Sequence, residues 1–112
     1  MTRIVEVSQS EVRLVVNGPL YSLGAEEFEQ KLESMIETSF ATVTIDLSAA
    51  SGIDSDAMGK IVFVRKRLAD QNRLLRIRGC SENVYATLKM IQLDRLIEIQ
   101  KEGSTGGPGG IA

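Results

Sequence analysis

The stretch TVTIDLSAASGIDSDAMGKIVFVRKRL, residues 42–68, changes its hydrophobic period part-way along. Thr42 to Leu47 is a β-branched, apolar run and reads as a strand. Ser48 to Gly52 is a loop of small residues. From Ser55 to Gln71 the apolar residues recur at helical spacing, with Ala57, Met58, Ile61, Val62, Val64 and Leu68 as the stripe and Asn72 closing the helix. A strand that hands over to an amphipathic helix through a short loop is half of a parallel crossover unit, so the chain is expected to be α/β.

The segments on either side extend the pattern. Arg3 to Gln9 and Glu11 to Asn17 are two β-branched runs parted by Ser8-Gln9-Ser10, and they read as a hairpin ended by the turn residues Asn17-Gly18-Pro19. Ser22 to Glu37 takes helical spacing, with Leu23, Phe28, Leu32, Met35 and Ile36 apolar and the acids of its first half suited to the helix dipole. Leu74 to Arg78 reads as a strand in which Leu75 and Ile77 face one way and Arg76 and Arg78 the other. Two arginines on one face argue against burial of both faces, so the sheet should carry its helices mainly on one side. Ser81 is placed to cap a third helix through Val84, Tyr85, Leu88 and Met90. Leu96 to Ile99 reads as a short last strand or a further helical turn, and Gly103 to Ala112 as a flexible Gly-rich tail. The expected fold is one α/β domain, residues 1–102, with a mixed sheet and right-handed crossovers.

Composition narrows the chemistry. The 112 residues are 43% hydrophobic, enough for a core, and only 4% aromatic. Net charge is −2 and says little about partners. Histidine is absent, which removes the commonest general base and excludes a Ser-His-Asp triad. The one cysteine, Cys80, forms no internal disulfide and fits a reducing compartment, packing as a small apolar residue. The N-terminus has no signal-like apolar run and no stretch reaches membrane-spanning length, so a soluble, cytoplasmic protein without direct membrane insertion is expected.

The junction at Asp54-Ser55-Asp56 admits several readings. A phosphate loop fails, because six residues rather than four separate Gly52 from Gly59 and Ile61 follows Lys60. A Mg²⁺ site needs Asp46, Asp54 and Asp56 to converge from a strand and a helix. Helix capping by Asp54 or Ser55, with Asp56 favoured in the first turn and paired four residues on to Lys60, accounts for both acids without any function. Against that stands the placement of Ser55 at a helix start on a strand-end loop, where an added phosphate meets a positive dipole. Asp56, Lys60, Phe63 and Arg67 also share one helix face, and an aromatic among charges marks a contact surface. The seven basic residues from Lys60 to Arg78 (with Arg65, Lys66, Arg67, Arg73 and Arg76) raise nucleic-acid binding, but aromatic interleaving is missing and no nucleic-acid partner is expected. No catalytic or metal-binding set emerges, so a non-catalytic switch or binding module is expected.

The segments VTIDLSAASGIDSDAMGKIVFVRKRL and LLRIRGCSENVYATLKMIQLDRLIEI resemble the STAS family, and within it the bacterial anti-sigma factor antagonists. The resemblance covers nearly the whole chain before the tail and rests on Ile45-Asp46-Leu47-Ser48, Ile53-Asp54-Ser55 and Leu93-Asp94-Arg95-Leu96. It implies regulation by partner switching: an unphosphorylated antagonist binds a GHKL-type serine-kinase anti-sigma factor and frees the sigma factor. Phosphorylation of the antagonist breaks that complex, and a PP2C-type phosphatase restores it. The implied contact surface is Asp54, Ser55, Asp56, Met58, Gly59, Lys60 and Phe63. This chain departs from the family pattern Asp-Ser-Ser-Gly-Leu-Gly, since Asp56 stands at the usual phosphoacceptor position. Ser55 is the alternative acceptor, as in stressosome-type relatives. Gln92 stands where a glycine often precedes the leucine. STAS domains also serve as regulatory subunits of membrane transporters, which is the alternative role.

Overall fold

The computed structural model describes residues 2–20 and 23–101. In chain order the elements are β1 (Thr2–Glu6), β2 (Glu11–Asn17), α1 (Leu23–Ile36), β3 (Thr42–Ala49), α2 (Ser55–Asp70), β4 (Leu74–Cys80), α3 (Glu82–Met90), a 3-10 turn (Leu93–Arg95) and β5 (Glu98–Lys101). The expected helix start at Ser22 and the Gly-rich tail lie outside the described residues.

One five-stranded sheet runs in the order β1-β2-β3-β4-β5. β1 is antiparallel to β2, and the remaining pairs are parallel, which makes the sheet mixed as expected. Alternation assigns the two faces. Val12, Leu14 and Val16 of β2, Val43, Ile45 and Leu47 of β3, and Leu75 and Ile77 of β4 are all buried in the core. Phe28, Leu32 and Met35 of α1, Ile61, Val64 and Leu68 of α2, and Val84 and Leu88 of α3 pack onto that face from the helices. The other face carries Glu11, Arg13, Thr44, Arg76, Arg78 and Glu98, which line an open groove. The arginine alternation in β4 thus marks the uncovered side of the sheet.

Several elements differ from their sequence reading. β1 stops at Glu6 rather than Gln9, because the Ser8 hydroxyl accepts from the Ser10 and Glu11 amides and Val7 N–H already donates to Glu11 C=O. β3 continues past Leu47 to Ala49, where Gly18 N–H meets the Ala49 carbonyl. β4 runs on to Cys80 across a register shift, with Gly79 at φ +76. A Cβ at Gly79 falls 2.9 Å from the Ser48 Cβ, so glycine is needed for both conformation and space. Within the ambiguous Leu96–Ile99 stretch, Glu98 and Ile99 open a fifth strand parallel to β4, and the 3-10 turn lies just before it at Leu93–Arg95. Val62 and Met90 were expected on core faces, yet Val62 is partly exposed and Met90 is 82% exposed. Both are ends or flanks of apolar stripes wider than the surface their helix covers.

α1 has no basic residue in its last turn. Arg73, just before β4, supplies the charge instead. Its guanidinium donates to the carbonyls of Met35 (3.1 Å), Ile36 (2.8 Å) and Phe40 (2.7 Å), and to Thr38 Oγ1 (3.1 Å). A cation donating to the last carbonyls of a helix satisfies orphan acceptors and opposes the dipole.

Candidate functional site at the start of the second helix

Two loops clamp each other to position the start of α2. Leu20 and Ile53 form an isolated parallel bridge, with Leu20 N–H donating to Gly52 C=O (2.9 Å) and Asp54 N–H to Leu20 C=O (3.2 Å). Ala50 is buried and its N–H turns back to Leu47 C=O, which tightens the exit from β3. Asp54 is thereby held in an extended conformation and caps α2, its Oδ1 accepting from Ala57 N–H at 3.0 Å. A cap of this kind contributes about 1 kcal/mol. Of the two candidates from sequence, Asp54 is therefore the cap and Ser55 is the first helical residue.

Ser55 and Asp56 are both exposed, while Ala57 and Met58 turn into the core. Met58, included in the expected contact surface, is only 8% exposed and underlies that surface. Gly59 is exposed, and nothing lies within 4 Å of where its Cβ would be, so the helix offers a bare strip of backbone there. Phe63 is 48% exposed one turn further on, with the Arg67 guanidinium 5.7 Å from its ring centroid. Ser55, Asp56, Gly59, Lys60 and Phe63 border a groove of about 440 Å³ between α2 and α1, whose far wall is Glu29 and Glu33.

Lys60 does not make the expected intrahelical pair its main contact. Its Nζ lies 3.0 Å from Glu29 Oε2 on α1. The hydrogen bond and charge of Glu29 raise its pKa above the ordinary value, with smaller help from Asp56 and Glu33. Glu29 and Glu33 stand among the charged residues opposite the apolar stripe of α1. Their spacing of four residues puts them on one line along that face, but only the packing of α1 against α2 aims the line at Ser55.

Other expectations separate in space. Asp46 belongs to the open sheet face, where its Oδ1 accepts from the Ser48 hydroxyl (2.6 Å) and amide (3.0 Å) and its Oδ2 from Arg78 Nη1 (3.1 Å). Burial pushes the Asp46 carboxyl up, but the Ser48 bonds and the charges of Arg78 and Arg13 outweigh it and leave the pKa below 3.8. Asp46, Asp54 and Asp56 do not form a metal site, and no acidic, cysteine or histidine cluster suited to one occurs among the described residues. The basic residues are split too: Arg73 turns to the end of α1, Lys60 to Glu29, and Arg76 and Arg78 to the open sheet face. Cys80 is buried, and burial pushes its thiol up to about 11. No helix among the described residues is long and apolar enough to cross a membrane.

The third strand of a one-sided mixed sheet thus delivers an exposed Ser-Asp pair, Ser55 and Asp56, to a helix start in an α/β domain. The chain belongs to the STAS domain family, whose model matches residues 3–104. Its fold is similar to that of an anti-sigma factor antagonist from Mycobacterium paratuberculosis, at 17% identity and a TM-score of 0.79 over 89% of this chain and 84% of that one. It is also similar to the Bacillus cell fate determinant SpoIIAA in its phosphorylated form, at 16% identity and a TM-score of 0.71 over 91% and 93% of the two chains. A sulfate transporter family protein from Wolinella succinogenes shares the fold as well, at 14% identity and a TM-score of 0.72 over 88% and 83%.

Proposed function

We propose that this chain is a cytoplasmic, non-catalytic anti-sigma factor antagonist that works by partner switching and docks a GHKL-type serine-kinase anti-sigma factor on the start of α2. The observation that carries the reading is the exposure of Ser55 and Asp56 at a rigidly clamped helix start, beside the half-exposed Phe63. An exposed aromatic on a flat strip of helix supplies apolar contact area, and the charge beside it sets which partner fits.

Ser55 is the modifiable residue in this scheme and Asp56 a fixed charge. Among the described residues the Ser55 hydroxyl makes no hydrogen bond that a kinase must first break. Phosphate there carries nearly two charges and sits at the positive end of α2, so it does not unfold the helix. It does crowd a groove that already holds Asp56, Glu29 and Glu33, and it opposes any partner surface shaped for the unmodified site. A PP2C-type phosphatase then resets the switch.

The test is incubation of the purified chain with its cognate kinase and ATP, followed by phosphosite mapping by mass spectrometry. Phosphate on Ser55 with loss of binding supports the scheme. Stable binding with no phosphate anywhere on the chain instead makes Asp56 a permanent, kinase-insensitive setting. The fold shared with the sulfate transporter family protein supports a second reading, a regulatory module docked on a membrane transporter. Affinity capture that returns a permease and no serine kinase favours that reading.

A further inference from the structure

The open sheet face holds an arrangement that the docking of α2 does not use. Register places Arg13 of β2, Thr44 of β3, Arg76 of β4 and Glu98 of β5 side by side in one row across the sheet. Parallel neighbours at one level point to the same face, so two arginines stand on either side of Thr44, roughly 10 Å apart at the backbone. Thr44 is 1% exposed and forms the floor between them. Arg78 stands in the next row. These residues, with Glu11 and Gln100, line a cavity of about 350 Å³.

The hydrogen bonding of that cavity is incomplete. Arg13 Nε and Arg76 Nε are shielded from water and, among the described residues, have no hydrogen-bond acceptor. Their carboxylate neighbours are near but loose: Arg13 Nη2 lies 3.6 Å from Glu11 Oε2, and Arg76 Nε lies 3.7 Å from Glu98 Oε1. Both separations exceed hydrogen-bonding distance. Glu11 is committed elsewhere, accepting from Thr44 Oγ1 at 2.7 Å. Arg78 is committed to Asp46. Buried N–H donors without acceptors are rare and costly, and the two arginines that carry them here both line one cavity.

We propose that this cavity is a binding site for a small phosphate-class oxyanion, held between the guanidiniums of Arg13 and Arg76 above Thr44. Arginine presents a planar fork of donors matched to such oxygens, and two forks facing across a small residue bracket a tetrahedral anion. Arg78 is balanced by Asp46, and Arg13 and Arg76 are balanced only through the loose contacts to Glu11 and Glu98, so the pull on an anion comes from these two weakly held guanidiniums rather than from net charge. The volume exceeds that of inorganic phosphate and accommodates a phosphate monoester of small-metabolite size. Because both Nε–H groups are shielded in the unliganded protein, binding requires Glu98 to move off Arg76 and both guanidiniums to turn until their Nε–H groups meet the anion.

The experiment is a titration of the ¹⁵N-labelled full chain with inorganic phosphate, followed by NMR of the arginine Nε–H signals, with chloride at matched ionic strength as control. Saturable shifts of the Arg13 and Arg76 Nε–H signals, with slowed exchange at saturation and the Ser55 amide unmoved, are the expected result. Arg76→Gln and Arg13→Gln should each weaken the apparent affinity by roughly tenfold or more, the loss of one charge-assisted contact. Shifts no larger than those with chloride, or shifts that rise without saturating, overturn the proposal. The wild-type titration decides the matter even if either variant folds poorly, and unchanged affinity in both folded variants also overturns it.

Discussion

Replacing Arg73 with methionine removes the guanidinium while keeping most of the side-chain stem. Three carbonyls at and beyond the end of α1 then lose a charged donor, those of Met35, Ile36 and Phe40. A hydrogen bond from a charged donor is worth about 1.5–3 kcal/mol net when buried. Arg73 is only part-buried, and water reaches some of the vacated acceptors, so each bond is discounted to below about 1 kcal/mol. The expected total is about 2 kcal/mol of destabilisation. For a domain of this size that lowers the urea midpoint by roughly 1 M, with the slope of the transition unchanged. Arg73→Lys keeps the charge but cannot reach several carbonyls with a planar fork, and should restore less than half of the loss. Equilibrium urea unfolding followed by circular dichroism measures both variants. A methionine variant within about 0.5 kcal/mol of wild type would refute the assignment of Arg73 as the cap of α1, since that is the scatter of an inert surface change.

Gln92 sits at φ 61 in the left-handed region, so Gln92→Gly should raise stability by about 0.5–1 kcal/mol, seen as a higher thermal midpoint. Gly79→Ala should cost about 2 kcal/mol or more, because its φ of +76 and the 2.9 Å approach to Ser48 both oppose a Cβ; a loss under 0.5 kcal/mol in urea unfolding contradicts this. The depressed pKa of Asp46 means that its stabilising contribution is present above the unfolded carboxylate pKa near 4 and is lost as pH falls through its lower folded value. Asp46→Asn should therefore be less stable at pH 7 and lose less stability than wild type on acidification below about pH 4, measured as unfolding free energy against pH.

Much of the framework is written locally in the chain. β2 spans Glu11–Asn17 as read, because its alternation is strict and Asn17-Gly18 turns the chain where Gly18 adopts φ +91. Asp54 and Ser81 cap their helices as short polar residues ahead of an apolar stripe, and Asn72 closes α2 at φ 59, a conformation asparagine tolerates. The arginines of β4 gave away the open face because no helix covers them. What stayed hidden depends on distant partners. β5 is one exposed and three half-exposed residues whose strand identity comes from pairing with β4. Arg73 looked like one more basic residue, and its role appears only when α1 ends beside it. The acidic wall of Glu29 and Glu33 and the two orphan arginine donors likewise belong to packing and register rather than to any motif. Gln92 illustrates the reverse case: its left-handed backbone is one that glycine adopts more readily, which nothing in the local pattern of this chain announces.

The most direct measurement of the docking claim is the affinity of the cognate serine-kinase anti-sigma factor for four purified forms: unmodified, Ser55-phosphorylated, Ser55→Ala and Phe63→Ala. The account predicts tight binding by the unmodified and Ser55→Ala forms, with a loss of roughly thirtyfold or more on phosphorylation and roughly tenfold or more without the Phe63 ring. Equal affinity for all four forms would contradict it.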